Sequence, residues 1–528
     1  MNNSESNFSQ KNRYFSFTKF SGLIILILGI SLIIKLYNYP YEIPLTSDAL
    51  YYFWYSSEIY QLGELPKNWT PPNNFWPIFV SVIFEIIGNK EILVLMEIQR
   101  ICSVIISVVI TIPIYFLCKK FVKREFAIIG ASIVSFDPRL IINSFLGVTD
   151  PLYLLLISTG LVLFLSFNKK LILLSFVSIS FATITRGEGI FFLIFLIIFY
   201  IIRFRKENLK LVSNLLMIFL VISVIIIPIS YYRIDVTGHD PIFLRSIAST
   251  DDAIYKTMGS ENTDWGNDNT YDRIFSGIIT LIQFLVWITI PNFIIFLPVG
   301  IFLIFRHKNF QKNTIIISGI VLTIPAFYAY TFPAQPALDT RYLFPLFPIL
   351  AVLSALSAER ILGKLNIKNL FVIIIIVIII ISSIIFYEYK KIDYIHERQS
   401  YEVMREIAPH VKGVNNLSNE SRYLQSIQTI EQWPNTYSDI KFDIKIISDK
   451  ENRSLDEFIM NSKDKGLSHI IIDDNQNRKE YLKKLFLDEL KYPYLKKIYD
   501  SRDYGFDYQI KLFEINYYIF DSIQLIQK

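Results

Sequence analysis

The chain has little of what usually marks a soluble catalytic centre or a cross-linked fold. Of 528 residues only 2 are cysteine and 5 are histidine. Cys102 and Cys118 fall in one predicted helix, where a rise of 1.5 Å per residue separates them by roughly 24 Å, far beyond disulfide reach. Cysteine usage therefore says nothing about compartment. A formal charge of +5 is too small to argue for a nucleic-acid partner, and the Lys and Arg residues stand in short clusters between apolar runs. No internal repeat is visible, and the long apolar runs carry few ionisable residues. A secondary transporter, with polar or broken helices near midplane and repeated halves, is disfavoured by that pattern.

What is abundant is apolar surface. Hydrophobic residues make up 52% of the chain, and the mean hydropathy is +0.39. Runs of about 20 apolar residues cross the hydrocarbon, and shorter ones serve inside a bundle. On that ruler about eleven spans are predicted, near 20–37, 93–118, 126–140, 151–167, 171–185, 189–203, 210–230, 283–305, 313–331, 342–358 and 369–388. The polar tail before the first run lacks a clear cleavage site, so the first span reads as uncleaved. Trp76 to Gly88 is apolar but short, with Pro77 and Glu85 near its ends, and reads as a juxtamembrane helix. With the N-terminus inside, the clusters around Lys119, Lys169, Arg203, Arg306 and Arg360 all become cytoplasmic, as the positive-inside rule requires. Counting Trp76 to Gly88 as a span would reverse every one of them.

The outer loops are then 38–92, 141–150, 186–188, 231–282 and 332–341. Beyond Lys390 charge rises and strand and helix signals alternate, which predicts a small α/β domain over 391–528 on the outer face, after a membrane domain over 1–390. Strands are expected at Ile440–Ser448, Leu467–Asp473 and Tyr508–Ile515, and helices at Leu455–Lys465 and Arg478–Leu490. Acceptor sequons at Asn68, Asn416, Asn419 and Asn452 agree with that side, weakly, because the chain is rich in Asn.

The outer loops hold the residues capable of chemistry. Ser47 is a good helix N-cap, which puts Asp48 in a first turn where free N–H groups and the helix dipole favour its ionised form. Such a carboxylate can accept the proton of an attacking hydroxyl; the bland alternative is a capping residue. Three arginines end outer segments: Arg139, Arg186 and Arg341. A guanidinium at the rim suits a lipid phosphate, since its fork of donors never loses charge; the alternative is ordinary snorkelling. Asp150 heads the span at 151–167, and Glu188 follows Arg186; either can bind an acceptor group or cap a helix. The loop from Tyr231 to Ser276, with His239, Asp240, Asp251, Asp252, Glu261, Asp264 and Asp268, offers oxygen ligands to a divalent cation, but its spacing matches no calcium or zinc pattern. No metal and no other cofactor is assigned. The aromatic stretch from Asp48 to Tyr55 and the segment after Pro71-Pro72 could guide a polyprenyl lipid into a cleft.

Taken in order, Ser47-Asp48-Ala49-Leu50-Tyr51, Pro71-Pro72, Thr149-Asp150-Pro151-Leu152, Thr185-Arg186-Gly187-Glu188-Gly189 and Arg341-Tyr342-Leu343-Phe344-Pro345-Leu346-Phe347-Pro348 resemble the GT-C superfamily of polytopic glycosyltransferases, in its protein mannosyltransferase and aminoarabinose transferase branch, glycosyltransferase family 39-like. The resemblance implies a polyprenyl- or dolichyl-phosphate-linked sugar donor, a protein, lipid or glycan acceptor on the outer face, and inversion at the anomeric carbon. Asp48 matches the family's first-loop catalytic Asp, and Arg341 the Arg that meets the lipid phosphate. Ala49 stands where many relatives carry a second carboxylate, so that group must come from elsewhere, with Asp150 the candidate. Arg186-Gly187-Glu188-Gly189 departs from the Arg-Pro-Glu-Gly seen in relatives, and no Trp-Trp-Asp signature occurs, which argues against an oligosaccharyltransferase catalytic subunit. Two other classes remain: a transporter or lipid flippase, revealed by flux without a covalent product, and a non-catalytic envelope assembly protein, for which Asp48 and Arg341 would be replaceable.

Overall fold

The structure, a computed structural model, describes residues 19–67, 73–88, 91–207, 209–237, 270–306, 309–332, 337, 339–365, 368–391, 394–407, 416–419, 445–448, 454–464, 466–473 and 479–527. The acidic loop residues from His239 to Asp268, the sequon at Asn68, Pro71-Pro72 and Asn452 lie outside them. The chain is an α-helical polytopic protein of the GT-C type carrying a small C-terminal α/β unit. Six helices are long and apolar enough to cross a membrane, and shorter apolar helices pack among them, which makes this a multi-pass membrane protein.

Helix α1 (Lys19–Tyr37) leads into the first outer segment, where α2 (Ser47–Leu62) and α3 (Phe75–Ile87) pack against α4 (Ile92–Val109). Both short helices stop at a left-handed glycine, Gly63 and Gly88, each at φ 68, whose N–H closes on Ile59 and Phe84 carbonyls. Helix α2 starts differently from expectation. Thr46, extended at φ −131, takes the cap position, and Ser47 is the first helical residue. Both types cap well, so type alone could not choose between them. Asp48 keeps its place in the first turn.

The bundle continues through α5 (Thr111–Cys118), α6 (Arg124–Ser135), α7 (Pro138–Ser144), α8 (Asp150–Phe164), α9 (Lys169–Thr185), α10 (Gly189–Phe204) and α11 (Leu209–Thr237), then α12 (Thr270–Thr289), α13 (Leu297–Arg306) and α14 (Phe310–Thr331). A 3-10 helix, Thr340–Leu346, precedes α15 (Phe347–Leu362), and α16 (Lys368–Lys390) ends the bundle. Two expected spans are broken. The run at 126–140 stops at Ser135 and restarts at Pro138, because the residue before a proline is pushed out of the helical region and Asp137 caps the new helix. The run at 283–305 is two helices separated around Pro291, which has no N–H to continue the ladder. Close approach seals the core: a Cβ on Gly130 would stand 2.6 Å from the Ala351 carbonyl oxygen, so only glycine lets α6 lie against α15.

After α17 (Ile395–Ile407) comes a sheet of β1 (Asn416–Asn419), β2 (Lys445–Ser448), β3 (His469–Asp473), β4 (Leu495–Asp500) and β5 (Ile510–Ile515), in the order β2-β1-β3-β5-β4. Strand β1 runs parallel to β2 and β3, while β5 is antiparallel to β3 and β4. Phe458, Ile470, Leu482, Leu485, Phe513 and Phe520 fill its core with α18 (Leu455–Lys463), α19 (Glu480–Leu487) and α20 (Tyr517–Gln527). Strand β4 and helices α17 and α20 were not anticipated. Helix α17 joins the two units: Arg398 Nη2 donates to the Tyr41 carbonyl at 3.2 Å, and Gln399 Oε1 accepts from the Tyr508 N–H at 2.8 Å.

Candidate active site

The turn between α9 and α10 builds the first half of the site. Arg186 is extended at φ −148 and ψ 126, so its side chain leaves the helix axis. Its Nη1 donates to Asp150 Oδ1 at the head of α8, and its Nη2 to Glu188 Oε1 at 3.0 Å. Asn143 Nδ2, from α7, holds the other Asp150 oxygen at 3.3 Å. The guanidinium carbon also stands 5.9 Å from the Tyr153 ring and 5.4 Å from Tyr342. Burial works against the Arg186 charge, but Glu188 and then Asp150 outweigh it and hold its pKa well above the ordinary value. Burial likewise opposes the Glu188 charge, and Arg186 prevails, leaving that carboxyl below its usual range.

The second half comes from the 3-10 helix. Asp339 caps it through a 2.9 Å bond from the Arg341 N–H, and its other oxygen stands 3.3 Å from Arg341 Nε. Arg341 Nη1 reaches Asp48 Oδ2 at 3.3 Å. Asp48 is 57% exposed and Arg341 26%, so this pair faces the solvent side of a cleft. That cleft encloses about 380 Å³ including its open mouth and is lined by Asp150, Arg186, Glu188, Arg341, Tyr342 and the α14 residue Pro325, among others. Carboxylates outnumber guanidiniums here. Asp48 and Asp339 occupy two faces of Arg341 and leave its Nη2 without a protein partner among the described residues, whereas both terminal nitrogens of Arg186 are taken.

Five of the six anticipated residues, Asp48, Asp150, Arg186, Glu188 and Arg341, are thus brought together. Arg139 is not. Its Nη1 and Nη2 donate to the Ile290 and Trp287 carbonyls, each at 2.5 Å, and its guanidinium lies over the Phe386 ring at 4.9 Å. It satisfies the bare carbonyl end of α12, the favoured place for a cation on a helix. The idea of three arginines meeting at one depth fails because the break before Pro291 presents unpaired carbonyls to Arg139. Sequence reasoning passed over Asn143, Tyr153 and the cleft-lining role of Tyr342; the Asp339-Thr340-Arg341 cap was visible as an Asp two residues before the Arg. Among the described residues no three His, Cys, Asp or Glu side chains gather as ligands for one metal ion.

The fold and this arrangement define the class: the architecture is that of the GT-C membrane glycosyltransferases. Among solved structures it matches the Archaeoglobus fulgidus oligosaccharyltransferase in complex with Zn and sulfate, at 12% identity and a TM-score of 0.59 over 85% of this chain and 68% of that one. The same archaeal enzyme, AglB, in complex with an inhibitory peptide and a dolichol-phosphate matches at 12% identity and 0.56, over 91% and 73%. ArnT from Cupriavidus metallidurans bound to undecaprenyl phosphate matches at 11% identity and 0.55, over 94% of this chain and 98% of that one. At these identities the likeness is one of fold. No protein-family model and no curated protein sequence matches the chain.

Proposed function

We propose that the protein is an integral-membrane glycosyltransferase that moves a sugar from a polyprenyl-phosphate-linked donor to a hydroxyl acceptor on the outer face. The observation that carries the reading is the meeting of Asp48 with Arg341 beside the cleft, from segments almost 300 residues apart. Asp48 accepts the proton of the acceptor hydroxyl as that oxygen attacks the anomeric carbon. The bond from that carbon to the phosphate oxygen breaks, its electrons leave with the phosphate, and Arg341 meets the new charge through its free Nη2. Attack opposite the leaving group inverts the anomeric carbon. Arg186, with both terminal nitrogens held by carboxylates, fixes the cleft wall and orients Asp150 and Glu188 toward the acceptor side.

The chain accounts for nearly all of ArnT, the protein solved with undecaprenyl phosphate, and about two-thirds of the archaeal oligosaccharyltransferase. With the missing Trp-Trp-Asp signature, this favours a lipid-monophosphate sugar donor over an oligosaccharide donor. In this reading residues 1–390 form the catalytic unit, the N-terminus is cytoplasmic, and residues 391–528 sit outside over the first outer segment. The deciding experiment is transfer from a polyprenyl-phosphate sugar by purified Asp48→Asn. A folded variant without transfer is the expected result, and near wild-type transfer overturns the assignment.

A further inference from the structure

Asp48 and Asp150 lie on segments that the chain brings in from opposite directions, and both segments are tied to two consecutive side chains in the middle of α4. Gln99 is fully buried. Its Nε2 donates to the Ala49 carbonyl, next to Asp48, at 2.9 Å and to the Gly147 carbonyl, three residues before Asp150, at 2.8 Å. Both partners are acceptors, so only the amino end of the amide can face them. The Trp76 indole N–H, from α3, adds a bond to the same Gly147 carbonyl at 3.1 Å.

Arg100 repeats the pattern. It is 4% exposed, and its Nε donates to the Phe145 carbonyl at 2.7 Å, its Nη1 to Ile43 at 2.8 Å and Pro40 at 3.3 Å, and its Nη2 to Pro44 at 3.2 Å. One guanidinium thereby holds the strand of chain entering α2 and the end of α7. Between them Gly147, at φ 73, turns with so little room that a Cβ there would stand 3.6 Å from Arg100 Cα and 3.1 Å from Leu45 Cδ2. Neither Gln99 nor Arg100 is a cleft-lining residue.

We infer that Gln99, backed by Arg100, is a positioning residue that sets the spacing between Asp48 and Asp150 by gripping the backbone beside each. The inference rests on the glycosyltransferase reading for its catalytic meaning. A buried amide that spends both donors on two different loops fixes their separation more tightly than apolar packing does, and displacing catalytic groups by about 1 Å costs on the order of a hundredfold in rate. Arg100, with no carboxylate within ion-pair distance among the described residues, holds its charge through carbonyl dipoles alone, which only a fixed loop geometry supplies.

Gln99→Met keeps the volume and removes both donors, and the protein is read in two ways. Hydrogen exchange, followed in detergent without any substrate, is expected to rise together in segments 43–50 and 145–149 and to stay at wild-type levels in α8 to α10. Turnover at saturating polyprenyl-phosphate sugar is expected to fall about tenfold or more, with the donor KM within about threefold of wild type. Unchanged exchange in either segment, or a loss of turnover that only tracks the folded fraction, overturns the proposal. Wild-type enzyme in the same assay tests the functional reading, and the exchange experiment needs no turnover, so the two fail separately. Should Gln99→Met not fold, Arg100→Lys, which keeps the charge but gives up the planar fork, takes its place with the same two readouts and the same outcomes.

Discussion

Arg139 and Arg341 begin alike and end differently. Each follows an aspartate by two residues, and in each the aspartate Oδ1 accepts the arginine's own N–H at 2.9 Å, capping a short helix. Yet Arg139 turns onto the Trp287 and Ile290 carbonyls, while Arg341 turns onto Asp48 beside a cleft. The local motif is the same, and the surroundings assign the role. A guanidinium held by backbone carbonyls has fixed partners that no ligand replaces. One held by a solvent-facing carboxylate can exchange that partner for a phosphate of like charge and shape.

The largest effect expected from this contrast is at Asp48. Asp48→Asn removes the proton acceptor and should lower transfer by about 10²–10⁴-fold while leaving the thermal midpoint unmoved, measured by product formation and by melting in detergent. Arg341→Met should cost about 10²–10³-fold in turnover, with weaker retention of polyprenyl phosphate in a binding assay, and Arg341→Lys should recover only part of it. Arg139→Met should do the reverse. It strands two carbonyls at the end of α12, so a loss of about 1–3 kcal/mol in unfolding stability is expected, with turnover per folded molecule preserved. If Arg139→Met instead abolishes transfer in a stable protein, the distinction between the two arginines breaks.

The smallest effect concerns pH. Because Glu188 titrates below its ordinary range in the folded protein, its pairing with Arg186 is fully present above the unfolded value of about 4.3 and fades as pH falls through the lower folded value. The stability difference between wild type and Glu188→Gln should therefore be constant near neutrality and shrink only in acid, read from denaturation midpoints across a pH series.

Much of this was legible in the chain because polar residues in an apolar sequence advertise the ends of spans. Asp48, Asp150, Arg186, Glu188 and Arg341 all sit at such ends, and a hydropathy ruler finds them. Arg139 sits at one too, and nothing within its own segment reveals that Pro291, some 150 residues later, leaves carbonyls waiting for it. Gln99 failed for the opposite reason: one amide inside a long apolar run looks like a tolerated exception, and its two acceptors belong to distant loops. The break at Pro291 was overlooked because the run from 283 to 305 has the right length and hydropathy for one span. The late strand β4, with Lys496 and Lys497 facing solvent, lacks the apolar alternation that exposed β3 and β5.

The 3-10 winding of Thr340–Leu346 brings a last consequence. At three residues per turn, side chains three apart fall into columns. Arg341 with Phe344, and Tyr342 with Pro345, form the two columns that line the cleft, while Leu343 and Leu346 form the third and are buried in the bundle. Deleting one residue from this stretch would swing every column by about a third of a turn, aiming leucines at the substrate and the guanidinium at lipid or core. Removing a full triplet would keep the columns in phase but shorten the segment by about 6 Å, so length here is tuned in steps of three rather than one.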